Sequence, residues 1–267
     1  VNKSTLAAAV IAVMALAALY FLPSRVPPSD TRFEVLADSA LAAMPVAEAD
    51  VLRDLVRAAE KAKPSGRKAA LTAAAEGWET TGMLQVAAEY HRLAADMEPQ
   101  SASAFGEAGD RFYALIPSAG DDQEQVDYVF RAMYGYERAL ELDSQDLERK
   151  IRLATLYTDH QGNVMQGVLL LREVAAADSN NTDAQLRLGR FSLMSGQTDK
   201  ALARFRTVIR QDSLNLPARI LLAQTLANAG DPDAAEGVLR DGLAIAPDST
   251  ARTEIGRMLD DLAGVRQ

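Results

Sequence analysis

His91 and His160 are the only imidazoles in the 267 residues, and there is no cysteine. Metal binding or proton transfer through these side chains would need a second ligand or an orienting carboxylate at fixed spacing. Neither histidine has one. His91 falls at a packing place of an amphipathic pattern, and His160 falls at a turn. The carboxylate pairs Asp121-Asp122 and Asp260-Asp261 read as a helix start and a solvated helix face. Gly106 and Gly109 lie inside a helical pattern with no strand before them, so they do not form a phosphate loop. Tyr134-Gly135-Tyr136 reads as helix packing rather than a stacking platform for bases. No catalytic residue, cofactor or metal is expected, and the chain is read as a non-enzyme whose chemistry is binding. The enzymatic rival is an accessory or weak hydrolase using scattered carboxylates, and turnover abolished by one carboxylate change would reveal it.

The elements that position these side chains follow from a repeat. The stretch Leu186 to Phe205 has a turn at Gly196, a small residue five positions on at Ala201 and an aromatic at Phe205. The pattern returns after about 34 residues, as Gly230, Ala235 and Leu239 forward and as Gly162, Gly167 and Leu171 backward. Five helix-turn-helix units can be laid out at this step. The first runs from about Lys68 to Pro99, with Ala74-Ala75, Trp78, Gly82, Ala87 and Ala94. The second runs from about Ser103 to Asp143, with Ala108-Gly109, Phe112, Ala132, Tyr136 and Ala139, and its turn is expanded at 116–125. Asp121 and Asp122 are expected to cap the helix after that insertion, which is itself a candidate contact loop. The third, about Leu147 to Asn181, has Leu153-Ala154 and Tyr157; the fourth, about Thr182 to Asn215, has Leu188-Gly189; the fifth, about Leu216 to Ser249, has Leu222-Ala223, Gly242 and Pro247. The small residues have a mechanical role. Where two antiparallel helices cross closely, anything beyond Ala or Gly pushes the axes past their ~8–10 Å packing distance.

Composition agrees. The chain is 48% hydrophobic but only 6% aromatic, with Ala and Leu carrying the apolar content, which favours close-packed helices over strands. A net charge of -9 argues against a nucleic-acid partner. The absence of cysteine rules out disulfides, thiolate zinc sites and a lipid-modified N-terminal Cys.

The pattern Leu-Gly/Ala, Tyr/Phe, Gly, Ala, Phe, Ala, Pro with its step resembles the tetratricopeptide repeat over most of residues 67–249. The resemblance implies an all-α, right-handed helical solenoid of about five repeats whose first helices line a concave face where ligands bind. On that face fall Ile151, Thr155 and Thr158, then Leu186, Arg190 and Leu193, then Ile220, Gln224 and Ala227. These make an apolar groove with one cation, suited to an extended peptide or an amphipathic helix. Family members that grip a chaperone C-terminus carry a Lys/Asn/Arg clamp here; this sequence lacks it, so that partner is not expected.

The flanks complete the reading. Leu6 to Leu22 is free of charge and of strong breakers, covers roughly 25 Å as a helix and has Tyr20-Phe21 at its outer end. Residues 1–22 are therefore expected to be a transmembrane anchor. The rival is a signal peptide, with Lys3 as its charged start and Ala15-Leu16-Ala17 as its cleavage site, although the apolar run continues past that site. The expected layout is a single-pass cytoplasmic-membrane protein, N-terminus inside and repeat body outside, resembling bacterial membrane-anchored tetratricopeptide proteins. Residues 23–32, with three prolines, read as an extended linker. Residues 33–66 read as two lead-in helices, Phe33–Ala43 and Val46–Ala62, forming a divergent repeat or a cap. Residues 250–267 read as a capping helix with Ile255, Met258, Leu259 and Leu262 on one face. The function expected is a membrane-tethered scaffold binding a peptide or helix of a protein partner in assembly of an envelope complex. The alternative is a permanent structural subunit of a larger membrane complex.

Overall fold

The structure is a computed structural model and describes residues 31–160 and 162–265. The expected anchor at 6–22 and the linker up to residue 30 lie outside the described residues. Among those described, no helix is long and apolar enough to cross a membrane. All regular structure there is helical. The helices are α1 (Thr31–Ala43), α2 (Val46–Lys61), α3 (Pro64–Thr80), α4 (Leu84–Asp96), α5 (Ala102–Leu115), α6 (Asp122–Leu142), α7 (Leu147–Asp159), α8 (Val164–Ala177), α9 (Thr182–Met194), α10 (Thr198–Gln211), α11 (Leu216–Asn228), α12 (Pro232–Ile245) and α13 (Ser249–Val265). A short 3-10 turn, Ile116–Ser118, precedes α6. Two compact units divide at residues 149 and 150, inside α7.

In the first unit, α3 pairs with α4 and α5 with α6. Trp78 is fully buried among Leu52, Ala59, Leu71, Val86 and Ala94, and Phe33, Leu36 and Leu41 of α1, with Met44 just after it, close over that cluster. Phe33 meets Tyr90 edge-on with centroids 5.4 Å apart. As punctuation, Lys63-Pro64-Ser65-Gly66 would be expected to end the second lead-in helix; Pro64 instead opens α3 at a position where the missing N–H costs nothing, and Gly66 lies within that helix. Thr31 and Arg32, placed in the linker by sequence, belong to α1. The charged pairs of α2 are Arg53–Asp50 and Arg57–Asp54, each at 2.9 Å. The charge pattern of the sequence also suggests Arg53–Glu60 and Asp54–Lys61, seven residues apart; the structure forms the shorter pairs because neighbours on a helix surface are three or four residues apart.

In the second unit, α9 pairs with α10 and α11 with α12, and α13 packs on α12. Ala201, Phe205, Leu222, Ala235, Leu239 and Ile255 are its core, with Met258, Leu259 and Leu262 of α13 covering one side. Turn glycines Gly82, Gly162, Gly196 and Gly230 all have positive φ, between 63° and 86°. Such backbone is open to glycine at no steric cost, so these four positions fix where four of the hairpins reverse, the α5–α6 pair turning without one.

The loops between repeats share a device. Asp143, Asp178 and Asp212 each accept a hydrogen bond from the backbone N–H two residues on. Three residues after each, Asp146, Asn181 and Asn215 cap the next helix by accepting from the N–H of Arg149, Ala184 and Ala218, each at 3.0 Å. The motif Asp-Ser-x-Asx therefore ends one repeat and begins the next.

Candidate protein-binding surface

The groove positions expected from sequence lie on α7, α9 and α11, in the second unit. Arg190 and Gln224 are exposed, whereas Ile151, Thr158, Leu186, Leu193 and Ile220 are half-buried. Leu186, Leu193 and Ala227 press partly on the core cluster below them, so only part of each side chain faces out. Thr155 is 7% exposed and donates its hydroxyl to the Ile151 carbonyl at 2.9 Å. It supports α7 from within and offers little to a ligand. Gln224 and Ala227 line a cleft of about 440 Å³ with Leu239 beneath and Met258, Asp261 and Leu262 of α13 at its edge. Sequence placed α13 only as a cap; its wall of this cleft depends on how the helix docks.

Several of the small repeat-defining residues sit where helices cross. Gly167 has no room for a Cβ, which would lie 2.4 Å from Thr158 and 2.8 Å from the Ala154 carbonyl oxygen. Gly189 lies under Phe205, where a Cβ would come within 2.4 Å of the ring. Ala87, Ala201 and Ala235 are buried at equivalent places. In the second repeat Gly109 and Gly135 also meet, a Cβ on Gly135 lying 2.7 Å from the Gly109 backbone. Ala132, expected from sequence as a small residue of that helix, is fully buried at the same crossing, its carbonyl oxygen 3.1 Å from where a Cβ on Gly109 would lie. Gly106 is the seat of the Arg149 guanidinium, whose Nη1 is 2.5 Å from Asp146. Both α5 glycines therefore have packing reasons to be glycine.

The side chains weighed for chemistry are held in structural contacts. His91 Nε2 is 3.1 Å from Glu79 Oε1, and Glu79 also pairs with Arg111. Burial, then the Arg111 charge, pushes the imidazole below its usual value against the pull of Glu79, so the neutral ring is favoured. His160 is exposed at the turn after α7. Tyr136 is fully buried and bonds Asp110 at 2.9 Å, while Tyr134 bonds Asp96 at 3.2 Å. The 116–125 insertion is tied to its own backbone: Asp121 caps the Glu124 N–H at 2.7 Å, and Glu124 accepts from the Gly120 N–H at 2.7 Å and the Tyr128 hydroxyl at 2.5 Å. Among the described residues, no group of three or more His, Asp and Glu is arranged to hold a metal ion.

One cluster went unread in the sequence. Glu89, Arg92 and Arg131 are 1%, 4% and 2% exposed, deep in the first unit. Glu89 takes two hydrogen bonds from Arg92, at 2.6 and 2.9 Å, and one from Arg131. Asp96 at 2.8 Å and Asp127 at 2.9 Å take the remaining reach of the two arginines. Arg131 also lies over the Phe112 ring, 5.6 Å from its centroid. Burial works to raise the Glu89 carboxyl, but the bonds and charges of Arg92 and Arg131 outweigh it and hold it below the usual range. The signal available was charge at inward helical positions, which periodicity alone assigns to apolar residues.

Comparison with known proteins agrees with this architecture. Residues 160–213 and 192–253 each match the family described as tetratricopeptide repeat. No curated protein sequence matches. Among solved structures, YrrB, described as a tetratricopeptide protein with an unusual peptide-binding site, is similar at TM-score 0.54 and 19% identity, over 76% of this chain and 97% of that one. A MamA structure is similar at TM-score 0.55 and 14% identity, over 68% and 92%. MamA from Desulfovibrio magneticus RS-1 gives TM-score 0.55 and 15% identity, over 68% and 97%. At these identities the likeness speaks for the fold alone. With the repeat profile across α8 to α13 and the turn glycines at one conformation, residues 160–253 carry tetratricopeptide repeats, and the fold around them is that of tetratricopeptide repeat structures.

Proposed function

We propose that this chain is a protein-binding scaffold that grips a peptide or helix of a partner along α7, α9 and α11, and that residues 6–22 tether it to a membrane during assembly of an envelope complex. The observation that carries the reading is the Arg190 face. Exposed Arg190 and Gln224 stand on successive first helices of their hairpins, flanked by half-buried Leu186, Leu193 and Ile220. A polar pair over a continuous apolar bed orients a bound segment while the bed supplies affinity. Tethering adds to this by raising local concentration at the membrane. The body is placed outside the cytoplasm in this reading, on the export character of the Lys3-led apolar segment.

Arg190→Glu is the test. Its side chain is exposed, so stability should change by less than about 0.5 kcal/mol. A stoichiometric partner, crosslinked through a photoreactive residue at position 224 in gently solubilised membranes, should be weakened by the reversal. Unchanged crosslinking would remove this face from the reading.

A permanent structural subunit is the second reading. It is favoured by the apolar residues that α2 leaves uncovered, Val46 at 73% and Val51 at 61% exposure. A partner that survives Arg190→Glu but is lost on Val51→Asp would favour it.

A further inference from the structure

A second cleft, of about 500 Å³, opens between α8, α9 and α10. Its deeper lining lies away from Arg190 around α9, while Met194 at its mouth stands one turn on from Arg190. At 3.6 residues per turn, its lining residues Leu188, Ser192 and Ser195 point roughly half a turn away. The groove proposed above and this cleft therefore share a helix and no lining residue.

One lining residue sets this repeat apart from the others. The place three after the small pair of the first helix holds Trp78, Phe112, Tyr157 and Leu226 in four repeats, and Ser192 in α9. The serine is buried, and its hydroxyl is used up on the Leu188 carbonyl at 2.8 Å. It leaves unfilled the volume that a large side chain takes in the other repeats. Leu188, Phe191 and Val168 form an apolar floor. At the mouth stand Met165 and Met194, 70% and 77% exposed, flexible side chains that can close over an incoming apolar group.

The rim carries one sign of charge. Arg172, Lys200 and Arg204 line the cleft, and no Asp or Glu does. Among the described residues none of the three forms an ion pair. Lys200 bonds the neutral Gln197 at 2.6 Å and Arg204 the neutral Gln185 at 2.7 Å. Gln185 is itself fixed, donating to the Ser179 carbonyl at 2.8 Å, so Arg204 is aimed by a clamped amide. Burial and the neighbouring Arg172 push the Arg204 guanidinium below its usual value, as expected where like charges lack a counter-charge. In a chain of net charge -9, a carboxylate-free rim of three cations around an apolar floor is complementary to an anion with an apolar anchor.

We propose that this cleft is a second docking site, for an acidic peptide segment of a partner protein that inserts a Leu or Phe side chain over Ser192 and sets flanking carboxylates against Arg172, Lys200 and Arg204. The volume suits one or two apolar side chains rather than a small hydrophobic protein face.

The experiment uses the full chain in zwitterionic lipid nanodiscs. Its probes are a fluorescent synthetic peptide carrying Leu and Phe between Glu residues, and the counterpart with every Glu replaced by Lys. The acidic peptide should bind, its affinity should fall with added salt, and the lysine peptide should bind at least about tenfold more weakly. Ser192→Phe, which restores the bulk of the other repeats, should abolish binding. The double change Arg172→Glu with Arg204→Glu should weaken binding about tenfold or more without refilling the cleft, and it decides the matter if Ser192→Phe does not fold. Arg190→Glu should leave this binding unchanged. Equal binding of the two peptides, or insensitivity to the double change, overturns the proposal. Loss only in Arg190→Glu also overturns it, while leaving the groove reading standing. A concentration-dependent dimer dissolved by the double change would seat a second copy there and overturn the partner assignment.

Discussion

Glu89 sits between two buried guanidiniums, and its removal strands both. Replacing one member of a fully buried, hydrogen-bonded ion cluster costs about 3–5 kcal/mol, because the remaining charges keep their desolvation penalty and lose their partner. Glu89→Ala is therefore expected to lower stability by about that amount in urea unfolding at neutral pH; a loss under about 1 kcal/mol would mean that water or Asp96 and Asp127 take over. The pH dependence follows from the direction of the shift. Glu89 in the fold lies below its usual value of 4.5, so its contribution is complete above that pH and is lost as pH falls through the folded value. His91 is also depressed, below 6.5, so the unfolded chain takes its proton first and stability begins to fall as pH drops past 6.5. Unfolding midpoints should decline in two stages on acidification. His91→Gln should remove the upper stage and leave the lower one intact.

At the scale of helices, the hairpins are specified by what is missing at their crossings. Gly167 and Gly189 admit no Cβ, and Ala201 is fully buried. Ala201→Trp should overpack the α9–α10 hairpin and cost about 1–3 kcal/mol or more, read as a lowered thermal midpoint. A change under about 0.5 kcal/mol would place the crossing elsewhere. The spacing of Gly196, Ala201 and Phe205 was enough to locate this crossing from sequence. In the second repeat Gly109 and Gly135 join Ala132 at the crossing, and the expanded turn at 116–125 separates the two helices by more than the fixed step. The Asp-Ser-x-Asx loops were readable at positions 143, 178 and 212, but their meaning rests on hydrogen bonds between residues that periodicity does not treat as a unit.

At the scale of the whole molecule, an array must cover its last apolar face. In the second unit α13 does this, burying Ile255 completely against the core of α11 and α12. Burying a side chain of that size is worth about 1.5–3 kcal/mol. Ending the chain before Ser249 should therefore destabilise α11 and α12 and raise aggregation, measured by light scattering after matched expression. Tethering is tested separately. A phosphatase fused after Gln267 should be active in the envelope, while cytoplasmic activity alone would reverse the proposed topology.

The repeat, its helices, its turn glycines and its capping helix were legible in the sequence because each depends on local spacing: a 3.6-residue helical period, a conformation only glycine enters easily, a crossing only small residues permit. Of the positions that spacing sets on the outward side of the first helices, Arg190 and Gln224 emerge exposed, whereas Thr155 is buried. Tertiary structure alone decided the rest. That Glu89 finds Arg131 forty-two positions away depends on how α4 lies against α6. That Ser192 leaves a cleft rather than a filled core depends on whether neighbouring side chains collapse into the space, and that Arg172, Lys200 and Arg204 converge on its rim depends on the angle between α8 and α10. Volume and long-range charge are properties of packed surfaces, and no local spacing encodes them.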